Sequence, residues 1–268
     1  MGDEPETEEG MALVWSGSLE PCLSAPVITR QHRATLGRYG GTSGKNEDGA
    51  LVWSEKDWTF AVILDGHASS ESVNAVLAVF EEARSDLRAI CSAVDAGRFT
   101  ALQRDLITLL TSPDVTRRMA AVRGETACLI CYQSGKHLLW LSIGDATLYL
   151  LHPELARLGQ YTLTTRNFFE WIGERTSVAG APACFSTGIR ELRQGRTIIV
   201  LVTDGIQELP TAPFDAAADF SAAMLSQPTA SDGVAHLLQS AEALASPDSC
   251  TLIAWEVDNP EPALMPSG

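Results

Sequence analysis

The chain has 268 residues, 45% of them hydrophobic and 20% charged, which is enough to bury a sizeable core within one domain. Its formal net charge is −15 and its pI about 4.7, so nucleic acid and anionic membrane surfaces, which repel an acidic protein, are not expected as partners. No apolar run approaches the roughly 20 residues that span a bilayer.

Residues 1–10 are acidic and lack an apolar core, so a disordered acidic tail is expected there rather than a signal peptide. Glu6 stands where a myristoylation motif needs Ser or Thr. Short β-type runs follow at 50–54 and 58–64, the second ending at Asp65-Gly66. Apolar residues at helical spacing predict a helix over 70–93 (Val73, Val76, Leu77, Phe80, Ala83) and another over 99–110 (Leu102, Leu106, Leu109, Leu110). Thr111-Ser112-Pro113-Asp114 is expected to break the second.

Strands return at 126–133, 137–143 and 146–151, with Ser134-Gly135 as a hairpin turn. The β-branched run 196–202 reads as a strand buried on both faces. Helices are expected over 215–225 and 231–244, and a last strand over 250–257. Strands and helix pairs without strict βαβ alternation predict an α+β layered domain.

Six cysteines in a chain with no export signal are expected to be reduced and mostly buried. Cys128 and Cys131 form a C-x-x-C, but inside a strand an odd separation puts the thiols on opposite faces, so core packing is the expectation. The five histidines have no zinc-ligand spacing. Gly40 to Lys45 falls short of a P-loop, because Tyr39 stands at the required first glycine and Asn46 at the magnesium Ser or Thr.

The chemistry concentrates in four distant segments: Asn46-Glu47-Asp48-Gly49, Asp65-Gly66-His67, Thr203-Asp204-Gly205 and Asp248-Ser249-Cys250-Thr251. Each places acid groups at the edge of an expected strand, where a rigid sheet positions them and glycine lets a ligand approach. Convergent carboxylates repel unless cations neutralise them, and hard divalent ions take oxygen ligands. Singly, each segment is an ordinary turn; in this order they carry information.

With Gly124-Glu125-Thr126-Ala127 and Gly144-Asp145-Ala146, the set resembles the metal-dependent type 2C serine/threonine protein phosphatases (PPM family), compact bacterial form, over about 37–257. The resemblance implies a four-layer αββα sandwich: two antiparallel sheets flanked by helix pairs, with metals in a cleft at one end. It implies two or three divalent cations, Mn²⁺ or Mg²⁺, on Glu47, Asp48, Asp65, the Gly66 carbonyl, Asp204 and Asp248, with Asp65 bridging. Asp145 would help hold a third ion beside Asp204, with Glu208 at a position usually aspartate. His67 would be the general acid.

The domain is then expected over 11–258, with a frayed tail over 259–268. The implied activity is hydrolysis of phosphoserine and phosphothreonine in cytoplasmic signalling proteins, the substrates of a serine/threonine kinase. Ser43 stands where the family has a phosphate-gripping arginine, leaving Lys45 or Arg38 for that role. Ala68 replaces a glycine, Thr147 an arginine and Ser249 an asparagine. The alternatives are a weak or inactive phosphatase-like binding module, or a phosphatase of small metabolites. The aromatic segment 167–173 falls in the region that forms a flap over the family's cleft; its aromatics are expected to be flap core, with the shaping of substrate access as the alternative.

Overall fold

The computed structural model describes residues 12–16, 24–43, 46–95, 97–180 and 182–262. In chain order these form β1 (Ala12–Ser16), β2 (Val27–Gln31), β3 (Ala34–Tyr39), β4 (Gly49–Ser54) and β5 (Trp58–His67). Helices α1 (Glu71–Glu82), α2 (Arg84–Cys91), α3 (Arg98–Thr111) and α4 (Pro113–Met119) follow. Next come β6 (Glu125–Ser134), β7 (His137–Ile143), β8 (Thr147–Leu151), α5 (Pro153–Arg157), β9 (Ile172–Gly173), β10 (Ser186–Glu191) and β11 (Gly195–Val202). Helices α6 (Ala217–Leu225) and α7 (Ala230–Ala243) precede β12 (Cys250–Asn259).

The strands make two sheets. One runs β1-β4-β5-β6-β7-β10, with β9 on the end of β6; the other runs β2-β3-β12-β11-β8. Every pairing is antiparallel. Period-two alternation sorts the side chains into three apolar layers. On β5, Phe60, Val62 and Leu64 pack with α1–α4, whereas Ala61 and Ile63 face the second sheet. On β11, Ile199 and Leu201 face the first sheet, and Ile198, Val200 and Val202 pack with α6 and α7. Strands covered on both sides have no polar face to show, which is why these runs are continuously apolar. The result is an α+β fold of αββα layers, as expected, with four helices rather than a pair on the first face.

The same alternation sends Cys128 to the helix side and Cys131 between the sheets. Burial raises both thiols, Cys128 to about 12, so neither is a nucleophile. Of the other described cysteines, Cys91 and Cys250 are buried and Cys184 is exposed.

Four local expectations are corrected. Strands β2 and β3 precede residue 50 and β1 lies before them, where no strand was expected. The helix over 70–93 breaks at Ala83 (ψ 1°), and the turn lets α2 bury Leu87 and Cys91. Ser112-Pro113 starts a helix as well as ending one: Ser112 Oγ accepts the Val115 N–H at 3.3 Å, and Pro113 fills the first helical position. Finally, β5 does not end at Leu64. It continues through Asp65, Gly66 and His67, paired with Ala127, Thr126 and Glu125. The expected tail over 1–10 lies outside the described residues.

Candidate active site

At one end of the sandwich the strands of both sheets stop, and the acid groups gather there. Asp48 immediately precedes β4 in the first sheet. Asp65 lies near the end of β5. Asp145 sits in the three-residue crossing from β7 to β8, that is, from one sheet to the other. Asp204 opens a 3₁₀ turn directly beyond β11, and Asp248 lies just before β12.

Two glycines set the close approach. A methyl group on Gly66 would collide with the Glu47 carbonyl oxygen, and one on Gly205 with that of Ser249. Each Asp-Gly step therefore lets one segment lie directly on another. The turn after Asp204 is held from beneath: Gln207 accepts from the Thr147 hydroxyl at 3.2 Å and donates to the Tyr149 hydroxyl at 2.9 Å.

Asp48 is 1% exposed. Its Oδ2 accepts from Thr251 Oγ1 at 2.7 Å and Thr203 Oγ1 at 3.1 Å. Burial nevertheless pushes its carboxyl up to about 7, against the Thr251 hydrogen bond and with help from the Asp248 charge. Asp65 is buried too, and accepts the Asp204 N–H at 3.3 Å. Burial, then the charges of Asp204, Asp48 and Asp145, raise it well above the ordinary carboxylate range. Asp204 is raised to about 6 by burial and by Asp145 and Glu208. Neighbouring carboxylates in this state hold a proton between them until another positive charge takes its place.

Asp145 is 2% exposed, and burial raises it as well. Its Oδ1 is buried and accepts no hydrogen bond. His67, at the end of β5, has Nδ1 3.9 Å from Asp65 Oδ1, and its ring meets the edge of Trp171 at 4.7 Å. Glu47 is buried and joins the site through its main chain. Asp248 is exposed, with Oδ1 accepting the Ser249 N–H at 2.8 Å.

Arg38 pairs across β3 and β12 with Thr251, the residue whose hydroxyl binds Asp48. Burial lowers its pKa. Lys45 lies outside the described residues, and Ser43 is exposed on the bend before it.

Among the described residues, no three His, Cys, Asp or Glu side chains are drawn together tightly enough to form a ready-made metal cage. The donor chemistry fits a hard divalent cation all the same. It consists of oxygen ligands only, of carboxylates whose negative charge burial leaves uncompensated, and of one buried carboxylate oxygen with no partner. A cavity of about 540 Å³ opens at the other end of β5, lined by Glu55, Trp58, Arg98 and Ser134, and holds none of these groups.

Three contributors carried no role in the sequence. Thr203 and Thr251 stand inside the motifs, and their hydroxyls on Asp48 become visible only when β11 and β12 are paired. Arg166, between β8 and β9, donates from Nη2 to Asp204 Oδ2 at 3.3 Å and to Glu208 Oε1 at 2.6 Å. Nothing in the sequence ties it to residues some forty positions away. The aromatic segment is also corrected. Ile172 packs in the core and Trp171 against His67, but Phe168 is 50% and Phe169 93% exposed, so these two are not core.

No helix among the described residues is long and apolar enough to cross a membrane. No protein-family model and no curated protein matches the sequence. Solved structures do match. Serine/threonine phosphatase Stp1 from Staphylococcus aureus superposes with a TM-score of 0.59 at 15% identity, covering 84% of this chain and 95% of that one. The catalytic domain of the serine/threonine protein phosphatase PstP, in complex with two manganese ions, gives 0.57 at 18% identity, over 84% and 98%. RsbX in complex with magnesium gives 0.56 at 13% identity, over 86% and 98%. These are bacterial serine/threonine phosphatases of the PPM type, and the fold of this chain is theirs.

Proposed function

We propose, from the fold this chain shares with the bacterial PPM-type phosphatases, that it is a metal-dependent hydrolase of phosphoserine and phosphothreonine in proteins. The observation that carries this is the meeting of Asp48, Asp65 and Asp204, from three distant segments, in a buried group whose ionisation is opposed. Such a group calls for positive charge, and its oxygen-only donors suit manganese or magnesium, the ions of the PstP and RsbX structures.

In this reading Glu47, Asp48, Asp65, Asp204, Asp248 and the Gly66 carbonyl hold two divalent cations, which when bound make water nucleophilic and draw charge from the phosphoryl oxygens. Asp65, whose carboxyl feels both Asp48 and Asp204, would be the ligand that the two cations have in common. Thr203 and Thr251 keep the Asp48 carboxylate turned into the site. His67, lying between Asp65 and the Trp171 ring, gives a proton to the departing serine or threonine oxygen. Arg38, with Lys45, is the cation assigned to the substrate phosphate.

The catalytic domain is taken as 11–258, in a cytoplasmic signalling protein that reverses the work of a serine/threonine kinase. The missing arginine at Ser43 favours a second reading, a phosphatase-like module that binds phosphoprotein without turnover. Phosphate release from phosphothreonine and phosphoserine peptides, set against sugar phosphates and nucleotides, separates these. The proposal expects peptide kcat/KM at least about tenfold higher than for any small phosphate. Preference for a small phosphate, or binding of peptides without release, overturns it.

A further inference from the structure

Arg166 belongs to the segment between β8 and β9, which crosses the carboxylate end of the sandwich. Its guanidinium lies 4.8 Å from the centroid of the Phe168 ring, which braces it from outside. On the other side it meets Asp204 and Glu208, at 3.3 and 2.6 Å, and its charge also acts on Asp145. Two carboxylates therefore hold the arginine directly, and Asp145 feels its charge while its own Oδ1 accepts no hydrogen bond. These three are the trio that the sequence resemblance assigns to a third cation.

We infer that Arg166 is the resident cation of the Asp145–Asp204–Glu208 trio, so that the centre takes two divalent ions and not three. This rests on the two-cation reading above. A guanidinium cannot lose its charge in a protein, and here its Nη2 serves two carboxylates at once. It is also tethered, so it occupies the trio without the entropy loss a free ion incurs. A further divalent ion would have to displace Arg166 from Asp204 or settle against its positive charge. Glutamate at 208 fits the same account. Its carboxylate, 55% exposed, stands away from the buried group and reaches the arginine with the longer side chain.

Calorimetric titration of the full-length protein with Mn²⁺, read as stoichiometry, tests this without reference to activity. Wild type is expected to take two ions and Arg166→Gln three. Adding Asp145→Asn to Arg166→Gln should return the count to two. Arg166→Met, which removes the charge and leaves an unbranched apolar side chain, is the second variant, and thermal melting verifies that each is folded. Three ions in wild type overturn the inference while leaving the proposed function standing. So does an unchanged count of two in both Arg166 variants. Fewer than two ions in folded wild type contradict the proposed function itself.

Discussion

A carboxylate with no water around it ionises at a cost, and Asp48 and Asp65 are in that position. The folded value of Asp48, about 7, lies above its ordinary 3.8, so the folded state holds the proton more tightly than the unfolded one. The resulting stability is complete below 3.8 and is lost as the pH rises through about 7. In chelator, the melting temperature of wild type relative to Asp48→Asn is expected to fall from about pH 4 to about pH 8, by the equivalent of a few kcal/mol. Saturating Mn²⁺ should flatten the slope, because the cation takes the proton's place. A slope that is identical in the two proteins contradicts the assignment. Ala68 shows a different kind of local cost, with φ at +67° directly after His67. A left-handed residue with a Cβ is strained by about 1 kcal/mol, and Ala68→Gly should recover part of that as a higher melting temperature. Ser43→Arg, adding a fork to an exposed bend, should lower the KM for a phosphopeptide by about tenfold with little change in kcat. An unchanged KM would mean that the clamp is already supplied.

The elements that hold the acid groups were legible in the sequence to different degrees. Runs buried on both faces, such as β5, β6, β11 and β12, have the uninterrupted β-type composition that identifies them. Strands β2 and β3 do not. Gly37 interrupts β3, and its lack of a side chain is what admits Val234 and Leu238 of α7 against the strand. A residue chosen for closeness reads in the sequence as a break. Asp65-Gly66 misled for a related reason. In isolation it is turn chemistry, but pairing with β6 overrides that preference and places the carboxylate on a rigid strand. Ser112-Pro113 is the helical counterpart, since both residues end one helix and cap the next. Ser112→Ala should therefore destabilise the protein by about 1 kcal/mol, measured by urea unfolding. No loss would show that α4 does not depend on its cap.

At the scale of the whole molecule, the sandwich brings together what the sequence keeps apart. Asp48 and Asp65 come from the first sheet, Asp204 and Asp248 from the second, and Asp145 from the link between them. Most of this site was readable because its acid groups sit in short motifs at strand edges. Arg166 was not, because its role depends on how a long connection folds back over the sheet ends. The geometry makes Asp65 the point on which the account turns, as the carboxylate coupled to both halves of the group. The most direct measurement is hydrolysis of para-nitrophenyl phosphate by the purified protein with Mn²⁺ or Mg²⁺, with excess chelator, and with Asp65→Asn. The account predicts turnover with cation, its disappearance in chelator, and a loss of about a thousandfold or more in a folded Asp65→Asn. Turnover that survives the chelator or Asp65→Asn, or a folded wild type inactive with either cation, would contradict it.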